Sequence, residues 1–287
     1  MNWFIAALVG LIFISIGWLI LKKIQLRGVS HEDSLSQWFF FVAITLLVWH
    51  LLSKTPILLA NPLNSALLVL AAMFAAATNL LVLHSFERSA NPGLSLALSS
   101  TQMLWLTFAS IGFFGSVISL LSGIGILLVL GGIACMYVRK AKGDFKWGLL
   151  ALAAGLMSAA YWVIVKWVQL ADPHLIPTTI LLYVSVPQIP VFLLVKKCRP
   201  RKKKAHFSFA ILGMLAVGGI VGALGNVSNI FSVTNAPNPG YALAVGSAGV
   251  LVTLFASIPL FKARITWRQL LAAIIIVAGV VAIRLGS

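Results

Sequence analysis

Within residues 162–170, WVIVKWVQL, the side chains Trp162, Lys166 and Gln169 are spaced i, i+4 and i+7. In a helix they share one face. An ammonium beside an indole and a carboxamide suits recognition of a carboxylate or phosphate. Placing a charge at the centre of a membrane helix costs about 2.5–3.5 kcal/mol, so such a group usually faces a bundle interior or a water-filled cavity. Lys166 is therefore a candidate counter-charge for an anionic group, against the plainer reading of a solvated helix end. A near copy, WLILKKIQL at 18–26, repeats the pattern with Trp18, Lys22 and Gln25. Lys22 reads as an ordinary snorkelling anchor.

Other polar residues in apolar runs fall into two groups. Asn79, Asn226 and Asn229 either hydrogen-bond between helices, a contact worth about 0.6–2 kcal/mol, or contact a solute. Ser95, Ser99 and Gln102 again fall at i, i+4 and i+7 and form a polar stripe. Ser99 and Gln102 are candidates for lining a site. Gly246 and Gly249, and the Gly218/Gly222 pair, read as close helix packing. Trp105, Tyr161 and Tyr183 suit either a cavity wall or a membrane interface. Glu87, with His84 and Arg88 within about a turn, is the candidate for carrying a coupling proton, against a local ion pair at the membrane surface. The remaining acids, Glu32, Asp33, Asp144 and Asp172, read as loop residues. No cysteine or histidine spacing suits a metal site, and no motif for nucleotide hydrolysis or a nucleophile triad appears. Neither a cofactor nor enzymatic activity is expected.

The elements that must carry these residues follow from composition. Of 287 residues, 61% are hydrophobic and 9% charged, with mean hydropathy +1.05. That leaves too little polar surface for a water-soluble globule. Apolar runs near 3–21, 36–53, 64–84, 92–113, 117–138, 147–171, 176–195, 207–231, 240–261 and 266–284 have the length of membrane helices rather than barrel strands. The first run has no basic residue before it and reads as a span rather than a secretory signal.

The net charge of +16 lies in the connections. Lys22, Lys23, Arg27, Arg88, Arg139, Lys140, Lys142, Lys146, the run KKCRPRKKK at 196–204, Lys262, Arg264 and Arg268 follow odd-numbered spans. Only Lys54, Lys166 and Arg284 fall to the other side. The positive-inside bias places the basic connections in the cytoplasm and both termini outside a cell membrane. The basic run reads as a topology signal and a contact for anionic lipids, not for nucleic acid.

The chain also repeats itself. Residues 91–111, NPGLSLALSSTQMLWLTFASI, align with 238–258, NPGYALAVGSAGVLVTLFASI, at an offset of 147 with eleven identities. The same offset pairs Asn79 with Asn226 and Gly132 with Gly279, while an offset of 144 pairs Lys22 with Lys166. With five spans per half, equivalent helices cross in opposite directions. The expected fold is an all-α integral membrane protein of ten transmembrane helices in two five-helix inverted-topology repeats, residues 1–143 and 144–287. Such a pair offers two nearly equivalent packings, the basis of alternating access.

These residues resemble the ten-span, EamA-type members of the drug/metabolite transporter superfamily. The run ARITWRQLLA keeps Arg264, Ile265, Thr266 and Gln269 of the family pattern G-E-R-L-T-x-x-Q, with Gly279 beyond it. SVISLLSGIG in the first half keeps Gly125 and Gly132 but not the polar positions, and Ser116 and Ala263 replace the family's Glu. The resemblance implies a carrier of small metabolites, commonly amino acids. A carrier of zwitterionic or anionic solutes suits the scarcity of acids in the spans. The rivals are a multidrug or cation exporter and a non-transporting membrane protein that binds lipid or a partner through its basic loops. Self-association into a homo-oligomer is left open.

Overall fold

Ser30 decides where the second helix begins. Its Oγ accepts from Asp33 N at 3.1 Å, and Glu32 and Asp33 in the first turn face the positive end of the helix dipole. The helix therefore starts five residues before the apolar run. Glu32 and Asp33, expected in a loop, belong to it, and Glu32 is buried. The computed structural model describes residues 2–88, 95, 98–137, 146–198, 208–261 and 265–287.

Among these, every regular element is helical: α1 Trp3–Gln25, α2 His31–Ser53, α3 Pro62–Arg88, α4 Gln102–Phe114, α5 Leu120–Tyr137, α6 Lys146–Ala171, α7 Pro177–Cys198, α8 Phe209–Asn235, α9 Pro239–Ser247, α10 Gly249–Phe261 and α11 Trp267–Leu285. Eight segments are long and apolar enough to cross a membrane, with α9 and the start of α10 counted as one; α4 and α5 are apolar but shorter. The run expected at 240–261 is broken at Ala248, where Gly246, Ser247 and Gly249 lower helix propensity. The repeated Asn91, Pro92 and Gly93 lie outside the described residues.

The helices pack in pairs. Ser232 Oγ donates to Trp3 O at 2.9 Å across α8 and α1, and Ser85 Oγ donates to Trp147 O at 2.8 Å across α3 and α6. Further along these antiparallel pairs, Ile14 lies against Gly225 and Thr78 Oγ1 donates to Ala154 O at 3.4 Å. In the antiparallel α5–α11 pair, a Cβ on Gly125 or Gly279 would lie 2.7 Å from the other's carbonyl oxygen. Arg284 Cζ stands 5.6 Å from the Phe4 ring centre, so both chain ends share one face of the bundle, here the terminal face. The opposite, basic face carries the ion pair of Lys196 Nζ with Asp33 Oδ1 at 2.5 Å.

The α2–α8 crossing is sealed by one side chain. Trp38 lies in a slot made by Gly17, Gly218 and Gly222, where a Cβ at any of the three would come within 2.6 Å of its ring. Gly218 and Gly222 thus serve close packing, as their spacing predicts. Gly249 packs on Ser15, but a Cβ on Gly246 would meet nothing within 4 Å, so its expected packing role is corrected.

Candidate solute-binding site

Lys166 sits near the terminal face on α6 and is buried, not a solvated helix end. Its Nζ donates to Thr234 O, in the last turn of α8. That carbonyl has no donor further along its own helix, and a cation suits the negative end of the dipole. Trp162 is buried one turn earlier, its ring tilted 57° to that of Tyr161 with ring centres 4.6 Å apart. Gln169 Oε1 is buried with no hydrogen-bond partner among the described residues. The three side chains thus lie along α6 toward the terminal face of the bundle.

The asparagines lie deeper. Asn79 Nδ2 donates to Gln188 Oε1 of α7 at 3.4 Å, whereas Asn226 Nδ2 turns back to Gly222 O of its own helix at 2.8 Å. Asn229 packs directly over Gly10 of α1. Gln102 Oε1 accepts from Ser158 Oγ of α6, while Gly155 lies against Ser99 O. Ser95 Oγ lies 2.7 Å from Ser85 Oγ and donates to it, since the Ser85 proton goes to Trp147 O. The stripe on Ser95, Ser99 and Gln102 thus meets α3 and α6.

These groups do not converge on one point. Asn79 lies beside Thr78, which bonds Ala154, and Ala154 is about 18 Å along α6 from Lys166 at 1.5 Å per residue. A small solute touches one end of this array at a time. Trp105 faces outward, 46% exposed, and is no part of an interior wall. Tyr161 is buried, and Tyr183 Oη accepts from Ala60 N at 3.3 Å. The side chain of Glu87 lies outside the described residues. A crevice of about 180 Å³ between Leu67, Phe113, Val163, Ile164 and Trp167 is wholly apolar and has no group to orient a polar solute.

Three features escape the sequence reading. Gln188, near the middle of α7, is buried between Pro187 and Pro190. Its Pro-interrupted run was the available signal. His50 is buried at the end of α2. Its Nδ1 lies 3.1 Å from both Thr55 O and Thr55 Oγ1, which holds the turn into α3. Thr266 and Gln269 form a capping box on α11, with Thr266 N donating to Gln269 Oε1 at 2.9 Å. Ser119 plays the same part for α5, its Oγ accepting from Ser122 N at 3.1 Å. The polar positions that seemed lost from the first half are therefore kept in function by serines.

With this geometry in place, comparison with known proteins gives the class. Residues 145–285 match the EamA-like transporter family. A solved crystal structure of a protein superposes with a TM-score of 0.75 at 14% identity, over 98% of this chain and 97% of that one. That likeness bears on fold alone. No curated protein matches the sequence. The match over residues 145–285 supports an EamA-type member of the drug/metabolite transporter superfamily, and eight apolar helices of membrane-crossing length fit a multi-pass membrane protein.

Proposed function

We propose that the protein is a secondary transporter that moves a small zwitterionic or anionic metabolite, an amino acid or a close relative, by alternating access. The observation that carries this reading is the pair of bonds Ser232 to Trp3 and Ser85 to Trp147. Each bond maps onto the other by the sequence offsets, 147 for the serine and 144 for the tryptophan. Exchanging α1 with α6 and α3 with α8 also exchanges two of the most extensive helix contacts in the molecule. This supports two five-helix units, residues 1–143 and 144–287, inverted relative to each other and giving ten crossings, with α4 and α5 as short spans. Two such packings of one architecture are what alternation requires.

In this reading the basic face is cytoplasmic and held against anionic lipid. Lys166 meets the solute's carboxylate at the terminal mouth by exchanging Thr234 O for it. Trp162 and Gln169 flank that contact. Asn79, Asn226, Asn229, Gln102 and Ser99 line the deeper path, and Glu87 serves any proton coupling from the basic face.

A thermal-stability screen of purified protein with amino acids, sugar phosphates and quaternary amines tests this. Ligand at 100 times its Kd stabilises by about 2.7 kcal/mol. A zwitterionic or acidic compound should raise the melting temperature of the wild type and not that of Lys166→Ala. Stabilisation by quaternary amines alone would contradict the substrate class. An equal shift in both proteins would remove Lys166 from the site.

A further inference from the structure

The two crossings exchanged by the repeat, α2 on α8 and α7 on α3, are built from opposite materials. The α2–α8 crossing is dry: Trp38 fills the glycine slot, and Phe41 packs directly on Gly219. The α7–α3 crossing is polar. Gln188 and Ser185 are both buried, and they lie at i and i+3 on one face of α7. Ser185 Oγ has no hydrogen-bond partner among the described residues, and it does not bond back to its own helix as Thr45, Thr78 and Ser228 do. Asn79 reaches Gln188 only at 3.4 Å, the long limit of a hydrogen bond. Gln188 Nε2 is occupied by Val184 O at 3.1 Å.

The backbone adds acceptors at this level. Pro187 and Pro190 have no N–H to give to Tyr183 O and Val186 O, so both carbonyls lose their donors within the helix. The helix stays continuous from Pro177 to Cys198, but backbone oxygen freed of its donor near the membrane midplane is what transporters offer to solutes. A hydroxyl buried without a partner in such a place costs free energy until something meets it. The groups left over are two backbone carbonyls and the Ser185 hydroxyl, which can accept as well as donate, and no charged residue lies within a turn of them along α7 or α3.

We propose that Ser185, Gln188 and Asn79 form a solute subsite in the α3–α7 crossing, specific for the N–H donors of an uncharged or zwitterionic solute. This deepens the transporter reading and rests on it. The solute's ammonium or amide hydrogens replace the long Asn79–Gln188 bond and satisfy the Ser185 hydroxyl. The sealed α2–α8 crossing gives the molecule one such subsite, not two. Selectivity for nitrogen donors resides at this depth, while Lys166 acts at the mouth.

The test uses the full-length protein with L-alanine and L-glutamine as probes, in counterflow assays and thermal shifts. The key variant is Asn79→Leu with Gln188→Met, which replaces both partners by apolar groups of similar shape and so leaves no orphaned amide. Ser185→Ala is the second variant. We expect the double variant to keep its melting temperature and expression while the KM for both probes rises at least about tenfold, a change that glue between helices does not produce. Ser185→Ala should raise KM by about threefold to tenfold, a loss equivalent to one hydrogen bond. If the double variant folds and keeps KM within about twofold, the subsite is refuted while the transporter reading stands. If the double variant fails to fold, unchanged KM and thermal shift in Ser185→Ala refute it instead. Absence of both flux and thermal shift in the wild type, with these probes and the wider panel above, overturns both readings.

Discussion

The α1–α8 and α6–α3 interfaces are close copies: each joins a serine of the third helix in its half to the carbonyl of a tryptophan that opens the other half's first helix. The crossings of α2 with α8 and α7 with α3 have diverged, one into an aromatic wedge in glycine, the other into an amide pair and a lone hydroxyl. The difference separates two demands on one architecture. In the alternating cycle proposed above, interfaces that must survive both packings are duplicated. The surfaces that distinguish one solute from another need only one copy, and there the halves are free to differ.

Substitutions at matched positions break or sharpen this comparison. The largest effect is expected for Gly222→Leu, because a side chain there collides with Trp38 at 2.5 Å across a rigid helix pair. A loss of about 3 kcal/mol is expected, against about 1 kcal/mol for Ala75→Leu at the equivalent place in the other half. Melting temperatures in detergent would decide, and equal losses would mean that the two crossings do not differ as described. Next come the caps. Thr266→Ala and Ser119→Ala should each cost about 1 kcal/mol, read from the same melts, since both remove an N-cap hydroxyl.

Smaller still, Ser85→Ala and Ser232→Ala should each cost about 0.6 kcal/mol, the mean for hydrogen bonds between membrane helices. Their agreement to within about 0.5 kcal/mol, the usual additivity error, is the sharper statement, since a large disagreement would show that the matched geometry hides unequal loads. Trp105→Leu, on an outward face, should shift the melt by less than about 0.5 kcal/mol.

Much of this architecture was legible in the sequence because the bilayer makes it so. Every backbone polar group in a span must be satisfied within its own helix, so an apolar run of sufficient length reads directly as α-helix. Helix ends were less legible. The start of α2 depends on one serine and two acids that look like loop residues, and α1 continues to Gln25 through Lys22 and Lys23, whose charges suggest an earlier exit.

The candidate site was legible as a set of residue types and not as a set of contacts. The repeat offset marks Asn79 and Asn226 as equivalent, yet which oxygen each amide finds depends on the helix crossing beside it. The shared face of Trp162, Lys166 and Gln169 followed from helical periodicity. Its engagement with the end of α8 did not, because a contact across 68 residues leaves no trace in local spacing. Gln188 is one amide in an apolar run with no counterpart in the repeat alignment, and only the α3–α7 crossing gives it a partner.

Counterflow in proteoliposomes tests the central claim most directly. Vesicles containing the protein are loaded with unlabelled amino acid and given a trace of the same compound labelled outside. A protein that alternates between faces should show transient, saturable accumulation of label that disappears when the internal pool is omitted. Label entry that is linear in concentration and equal to that of protein-free vesicles, across the amino acids that stabilise the protein, would contradict transport by alternating access.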